Sequence, residues 1–330
     1  MKRNLFFLPV FSALLLVGCN SEEKFKDSAS LEECHILKAT LEDLTQDSRV
    51  GFIIPGGKFF WSAEDMLGVD VTNRNGTKSI KNFSLQHGEG LNFARFRGIT
   101  QIGETMGHYA IFPFYKRFRH KFSATELTFR FPTEYVYAKV DQRFPGKDMS
   151  IAELAEMNGF NPAMAGIIEN MQIQLKHLGG TICVLVDKMP YASGTLYFTT
   201  DNKITGDYSM PLEKIKTIGS AGNNGFVVVA ASEAKEKTVS IKFFNAEVGK
   251  PGHFYIPAPT GKYTGYSVGL DSNNDLKMEV VYVSKEGFEV KRTYTKLLKP
   301  QDHSNVNPDG WDVGIDGWIN EDIDYGGTVG

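Results

Sequence analysis

The stretch Glu126-Leu127-Thr128-Phe129-Arg130-Phe131 places an apolar side chain at every second position. Alternate residues of an extended chain face opposite sides of a sheet, so this period is typical of a half-buried β-strand. Turn signals such as Asn75-Gly76 and Asn224-Gly225 separate further runs of this kind. The sequence therefore predicts an all-β fold of antiparallel β-sandwiches with little helix. The other alternating runs are Leu67/Val69/Val71, Ile182/Val184/Val186, Val239/Ile241/Phe243, Tyr266/Val268/Leu270 and Leu276/Met278/Val280/Tyr282.

The amino terminus has the features of a lipoprotein signal peptide over residues 1–18. Two basic residues, Lys2 and Arg3, precede an apolar run from Leu5 to Val17 that is too short to span a bilayer. The run ends in Leu16-Val17-Gly18-Cys19, which resembles the lipobox of bacterial lipoproteins. We expect lipid on Cys19 and attachment to the outer membrane. The alternative is an ordinary signal peptide followed by a chance cysteine.

Residues 19–48 are predicted to form a lipidated tether and an N-terminal segment. The run Asn20-Ser21-Glu22-Glu23-Lys24 resembles the surface-export signal of Bacteroidetes lipoproteins. A plain solvated tether is the alternative, because charged, Ser-rich segments bury too little surface to fold.

The mature chain suits about two domains, since 330 − 18 = 312 residues remain. We place the boundary near residues 158–170, which gives an N-terminal sandwich over 49–165 and a C-terminal sandwich over 166–330.

Loss of the two signal-peptide cations leaves 36 − 2 = 34 basic against 39 acidic residues, a net charge of −5. That balance does not indicate a nucleic-acid partner.

Motifs that would indicate an enzyme are absent or weak. The sequence has no Gly-x-Ser-x-Gly, no phosphate loop, no His-Glu-x-x-His and no Cys-x-x-Cys. The sequence therefore predicts no catalytic residues, no cofactor and no enzymatic activity.

Cys34 and Cys183 could form a disulfide in an oxidising compartment, or Cys183 could pack as a small apolar residue.

One calcium pattern occurs near the C-terminus. Oxygen donors at Asn305, Asn307, Asp309 and Asp316, with Gly310 at the sixth position, follow the spacing of an EF-hand loop. Asn at the first position and Asp at the last depart from that loop, so a solvated turn without metal is the favoured interpretation.

Several β segments occur in an order that resembles the fimbrillin family of Bacteroidetes, the lipoprotein precursors of type V pili. The resemblance implies two tandem transthyretin-like β-sandwich domains. Within these segments we expect Trp61, Tyr109 and Phe112 to be core aromatics with a large buried area. The resemblance also implies other fimbrial subunits as partners in a fimbrium, and a host or bacterial surface receptor is a further possible partner. The segments are Trp61–Val69, Asn92–Gly98, Gly107–Phe114, Met171–Ile182 and Phe254–Tyr263.

In that family, proteolysis after a basic residue removes the N-terminal segment and frees a groove for a strand from a neighbouring subunit. Here Arg49 is the first arginine after Cys19 and precedes the first domain motif, so the resemblance implies processing at Arg49. Two alternatives remain open: an ordinary exposed arginine, or an anchor subunit that stays uncut and lipidated.

The segment 311–329 has the pattern of a donor strand. Its odd positions are mostly apolar and its even positions are mostly acidic or glycine. At about 3.3 Å per residue it would extend roughly 60 Å, longer than an ordinary strand of a compact domain. The alternative is a local edge strand with a frayed acidic tail. The apolar donor residues are Trp311, Val313, Ile315, Ile319, Ile323 and Tyr325.

These features together predict a structural or adhesive subunit of a surface fimbria, assembled by strand addition. The second hypothesis is a monomeric surface lipoprotein that binds host or dietary glycan through exposed aromatics such as Trp311 and Trp318. An enzyme is the third.

Overall fold

The computed structural model describes residues 32–42, 61–114, 120–137, 140, 142, 162–218, 229–230, 237–272, 277–278, 280–300 and 311–312. Within these residues the structure is almost entirely β, and the helical element there is a 3₁₀-helix at Leu212–Thr217. The strands are β1 (Glu32–Leu41), β2 (Met66–Thr72), β3 (Lys78–His87), β4 (Phe93–Gln101), β5 (Thr105–Phe112), β6 (Lys121–Phe122), β7 (Glu126–Phe131), β8 (Glu134–Tyr137), β9 (Met164–Glu169), β10 (Gln172–His177), β11 (Gly180–Val186), β12 (Gly194–Thr200), β13 (Gly206–Pro211), β14 (Val229–Ala230), β15 (Thr238–Phe243), β16 (Gly252–Ala258), β17 (Gly261–Tyr263), β18 (Tyr266–Asp271), β19 (Lys277–Met278), β20 (Val280–Ser284), β21 (Phe288–Val290), β22 (Thr295–Leu298) and β23 (Trp311–Asp312).

Seven of these strands form a sheet that closes on itself, in the order β1-β10-β9-β5-β2-β3-β4. Strand β1 completes the closure, because it is antiparallel to β4 on one side and parallel to β10 on the other. The strand that joins the two ends of this sheet therefore comes from the N-terminal segment of the chain.

The remaining strands form a three-stranded sheet β16-β11-β22, a five-stranded sheet β20-β18-β12-β15-β8 and a four-stranded sheet β14-β13-β7-β6. Two-stranded ladders join β17 to β21 and β19 to β23. Ladders between β7 and β13 and between β8 and β15 connect residues 126–137 to residues 206–243.

Three clusters of buried apolar side chains lie between the sheets. The first core is Leu37, Ala39, Leu41, Trp61, Leu67, Val69, Phe83, Ala94, Phe96, Ala110, Phe112, Met164, Ile168, Ile173, Leu175, Cys183 and Tyr255. The second core includes Tyr135, Tyr137, Ile182, Val184, Leu196, Phe198, Ile241, Phe243, Phe254, Val268, Leu270 and Leu298. The third core includes Ile111, Leu127, Phe129, Phe131, Leu178, Tyr208 and Met210.

The all-β prediction is confirmed, and most alternating runs form strands with buried apolar positions. In β7, Leu127, Phe129 and Phe131 are buried, whereas Thr128 and Arg130 between them are only half-buried. The Asn75-Gly76 turn joins β2 to β3, with Gly76 at φ 81°. Positive φ is the conformation for which glycine has little steric cost, so the turn signal had a physical basis.

Strand β11 departs from simple alternation, because nearly all of its residues are buried. Cys183 packs in the first core, while its neighbours Ile182 and Val184 pack in the second core. The three-stranded sheet therefore lies between two cores, and both faces of β11 are covered. A continuous apolar run is the pattern expected of a strand buried on both faces.

The predicted boundary between 165 and 166 falls inside β9. Strands β9 and β10 complete the closed sheet together with strands from residues 32–112. The described residues from Glu32 onward form one compact unit. The division into sandwiches 49–165 and 166–330 stays a prediction.

Two of the three predicted core aromatics, Trp61 and Phe112, are buried. The Trp61 ring lies edge-on to Phe96 and Phe112, with ring centroids 4.7 Å and 5.2 Å away. Tyr109 is half-buried and packs at the margin of the third core rather than inside it. Its position on β5, one residue before buried Ala110, turns it to the other face of the closed sheet.

Candidate functional site: the N-terminal strand and its slot

Strand β1 lies in a slot between β4 and β10 and continues the hydrogen-bonding of both. Its register with β4 runs from Glu32 opposite Gln101 to Thr40 opposite Phe93. Its register with β10 covers only the last four residues, from Lys38 opposite Gln172 to Leu41 opposite Leu175. The first half of β1 is therefore paired on one side and the second half on both.

The second half of β1 also supplies apolar side chains to the first core. Leu37, Ala39 and Leu41 have exposed fractions of 0%, 1% and 4%. They belong to the same cluster as Phe96 on β4 and Leu175 on β10. Burial of an aliphatic side chain contributes about 1.5–3 kcal/mol, so β1 is an integral part of this core.

The first half of β1 is held by fewer and more exposed contacts. His35 Nε2 lies 2.7 Å from Thr100 Oγ1, and the His35 ring stacks on Phe83 at 6.5 Å. Arg97 Nε donates to Cys34 Sγ at 3.1 Å. Cys34 is exposed and Cys183 is buried, and the two form no disulfide.

Glu42, the residue that follows β1, anchors the downstream end of the strand. Its N–H donates to Leu175 O at 3.0 Å. Its carboxylate oxygen Oε2 accepts from the His177 N–H at 2.8 Å and from Arg292 Nη1 at 2.6 Å. We call the contacts of Glu42, His177 and Arg292 the Glu42 clamp.

The imidazole of His177 takes part in the clamp through the backbone of Glu42. His177 Nε2 lies 2.9 Å from the carbonyl oxygen of Glu42, which can only accept, so Nε2 carries the proton. Burial lowers the pKa of His177 to about 4, because the charged imidazolium would lose its hydration. His177 is thus neutral near pH 7, and Arg292 is the cation that faces the Glu42 carboxylate.

Arg292 belongs to the loop between β21 and β22, and that loop is fixed independently of β1. The Thr293 N–H donates to Gly179 O at 3.2 Å, and the Thr181 N–H donates to Tyr294 O at 3.0 Å. The clamp therefore joins the N-terminal strand to a C-terminal loop 250 residues away in sequence.

Sequence reasoning missed β1 and the clamp, although one local signal was present. Leu37, Ala39 and Leu41 have the same period-two pattern as the predicted strands. No pattern in the neighbouring sequence indicates that Glu42 contacts Arg292. A contact between residues 250 positions apart depends on the assembled fold.

The structure brings together few of the predicted site residues. Cys19 and Arg49 lie outside the described residues, as do Val313, Ile315, Trp318, Ile319, Ile323, Tyr325 and the calcium pattern at 305–310 and 316. Of the proposed donor strand, Trp311 and Asp312 are described, and they pair with Met278 and Lys277 of β19. The donor-strand prediction for 311–329 stays a prediction, because the other residues of this segment lie outside the described residues.

Within the part of the chain that the structure describes, no group of three or more His, Cys, Asp or Glu side chains could hold a metal ion. In the same residues, no helix is both long and apolar enough to cross a membrane.

Comparisons with known proteins gave likenesses in structure only. No family profile matches the sequence, and no curated protein matches it. A "putative cell adhesion protein" from Bacteroides ovatus has a TM-score of 0.39 and 9% identity, over 81% of this chain and 92% of that one. A fimbrial assembly protein from Parabacteroides distasonis has a TM-score of 0.29 and 10% identity, over 82% and 91% of the two chains.

A fimbrial protein from Bacteroides ovatus has a TM-score of 0.28 and 12% identity, over 81% of this chain and 48% of that one. Each of these three TM-scores is below 0.5.

Proposed function

We propose that this chain is a structural or adhesive subunit of a cell-surface fimbria, exported as a lipoprotein through Cys19 and assembled by strand addition. In this mechanism, cleavage after Arg49 releases β1, and a strand from a neighbouring subunit fills the vacated slot. The partners are other fimbrial subunits, with the outer membrane as the site of lipid attachment and a surface receptor as a further partner.

The observation that carries the proposal is the place of β1 in the closed sheet. Strand β1 comes from the segment upstream of Arg49, yet it lies between β4 and β10 and buries Leu37, Ala39 and Leu41. A cut between Glu42 and Trp61 would leave it attached by non-covalent contacts alone.

An empty slot would favour the entry of another strand for two physical reasons. The facing main-chain groups of β4 and β10 would lose their ladder partners, and unpaired backbone groups at a sheet edge readily add a strand. The apolar side chains of the first core would also lose their cover. Strand addition replaces both kinds of contact, with affinity from the main chain and specificity from alternate side chains.

The segment 311–329 remains the proposed donor. Its odd positions are mostly apolar and its even positions are mostly acidic or glycine, as β1 alternates buried and exposed residues. A donor in this mechanism exchanges the pairing of Trp311 and Asp312 with β19 for pairing in the slot of the neighbouring subunit.

The cleavage step can be tested with two basic residues of the same connection. Residues 43–60 contain Arg49 and Lys58 as their only cations, so Arg49→Gln and Lys58→Gln form a matched pair. Arg49→Gln should prevent polymerisation, and Lys58→Gln should leave it unchanged, as measured by the ladder on an unheated detergent gel. N-terminal sequencing of the polymer should begin at Val50.

The result of this test distinguishes a cleaved fimbrial subunit from an uncleaved anchor subunit and from a monomeric lipoprotein. A polymer that still begins at acylated Cys19 would contradict cleavage at Arg49 and favour an anchor subunit. A chain that stays monomeric on the cell surface would contradict the proposal and favour the glycan-binding lipoprotein.

A further inference from the structure

The Glu42 clamp gathers two donors of the protein body on one carboxylate oxygen. Arg292 Nη1 and the His177 N–H lie 2.6 Å and 2.8 Å from Glu42 Oε2. The side chains of Arg292 and Glu42 are only 12% and 20% exposed, so water screens this pair weakly. Charge-assisted hydrogen bonds of this kind are among the stronger ones in proteins.

Neither donor belongs to the strand that would leave. His177 ends β10, and Arg292 lies in the loop before β22, which the Thr293 N–H ties to Gly179 O. Withdrawal of β1 would therefore remove the carboxylate and leave both donors at the same end of the slot. Arg292 carries a guanidinium cation, so a half-buried positive charge would face the entering strand.

We propose that Arg292 and the His177 N–H form a carboxylate-binding subsite, which an Asp or Glu of the incoming strand must fill. The inference rests on the strand addition proposed above and adds a rule for which strand is accepted. Strand β1 obeys that rule: three inward apolar residues at Leu37, Ala39 and Leu41 are followed directly by Glu42.

The C-terminal segment repeats this pattern at one place. Trp311, Val313 and Ile315 are apolar at the same spacing, and Asp316 follows directly. Windows that begin at the other odd positions of 311–329 put Glu321 among the inward positions or lack an acid at the end, and windows that begin at even positions put Asp, Asn or Thr inward. The subsite therefore sets the register, with Asp316 in the place of Glu42. In that register Trp311, Val313 and Ile315 take the places of Leu37, Ala39 and Leu41, and residues 317–329 continue beyond the position of Glu42. A slip by one residue would turn the acidic face toward the apolar slot.

The test measures how tightly labelled peptides of residues 311–329 bind to the opened chain. A site-specific protease sequence inserted between Gln46 and Asp47 of the full chain allows controlled cleavage, and the uncleaved chain is the control. Fluorescence anisotropy at a protein concentration that keeps the chain monomeric compares the native, Asp316→Asn and Asp322→Asn peptides. Each peptide is also titrated against the Arg292→Gln chain.

On the cleaved chain, the Asp316→Asn peptide should bind about tenfold more weakly than the native peptide, because it loses a charged hydrogen-bond partner. The Asp322→Asn peptide has the same charge change outside the subsite and should bind within about twofold of the native peptide. On Arg292→Gln, the three peptides should bind alike. Since the peptide substitutions leave the folded chain untouched, a folding defect cannot mimic this result.

Equal binding of the native and Asp316→Asn peptides to the cleaved chain would overturn the subsite while leaving strand addition intact. So would a preference for Asp316 that persists in Arg292→Gln. Failure of the native peptide to bind the cleaved chain would contradict the strand addition itself, and the subsite with it.

Discussion

The first core and the second core are both lined by buried aromatic and aliphatic side chains, but their strands come from different parts of the chain. The first core is closed by β1, which precedes Arg49 and is linked to the later strands through residues 43–60. The second core is built from residues between Tyr135 and Leu298 and takes no side chain from β1. Under the proposed cleavage after Arg49, similar packing would therefore be permanent in the second core and removable in the first.

The largest expected effect is in the second core. Phe198 on β12 is fully buried and stacks on Tyr266 with ring centroids 5.8 Å apart. Phe198→Ala should lower the free energy of unfolding by about 3–5 kcal/mol, measured by urea denaturation. Phe244→Ala removes a Phe that is 41% exposed and serves as the matched control. An equal loss in both variants would contradict the assignment of Phe198 to a tight core.

A smaller and more local effect is expected in the first core. Leu37→Ala should cost about 3 kcal/mol, because it leaves a cavity beneath β1. Hydrogen exchange should accelerate in β4 and β10 and stay unchanged in β12 and β18, since β1 can open without the second core. Ile36→Ala, at an exposed neighbouring position, should change neither measurement. Uniform acceleration across both cores would show that the two regions unfold as one.

Acid should loosen the first core before the second, because His177 lies at the slot. Its pKa is lowered to about 4 in the folded chain, so the unfolded chain binds more protons between pH 6.5 and 4. Stability should therefore fall as the pH drops through that window, by on the order of 3 kcal/mol at most. His177→Gln should reduce the pH dependence, as measured by thermal unfolding at several pH values, and leave the part that comes from His120, whose pKa burial lowers to about 3. A wild-type slope retained in the variant would assign the effect to other groups.

The smallest expected effects compare one ion pair from each region. Glu42→Gln weakens a pair whose side chains are 20% and 12% exposed, and should cost about 1–2 kcal/mol. Glu134→Gln weakens the pair with Lys242, whose side chains are 52% and 51% exposed, and should cost less than about 1 kcal/mol. Urea midpoints in low and high salt would check the contrast. A larger loss from Glu134→Gln would reverse the comparison.

The local pattern of the sequence was enough to predict the strands of β2, β7 and β15. Each is a run whose apolar residues recur at every second position, and each has those residues buried in the structure. The period is a property of neighbouring residues, so it can be read without knowledge of the partner strand. The Asn75-Gly76 turn was predictable for the same reason, since two adjacent residues determine it.

The closure of the first sheet was decided by the tertiary structure. Leu37, Ala39 and Leu41 have a strand pattern, but that pattern does not say which edges the strand will join. Strand β1 pairs with β4 about 60 residues away and with β10 about 130 residues away. Partner strands this far away in sequence are selected by how the assembled sheets pack together and by the apolar side chains that become buried when the sheet closes.

The clamp shows the same division between local and non-local information. The sequence by itself determined that this chain is rich in β-strands and that its C-terminal segment alternates mostly apolar positions with positions that are mostly acidic or glycine. Only the assembled fold placed Arg292 and His177 around the carboxylate of Glu42. The physical reason is that side-chain periodicity is fixed by each strand's own backbone, whereas a charge pair across 250 residues exists only after both loops have been positioned by their sheets.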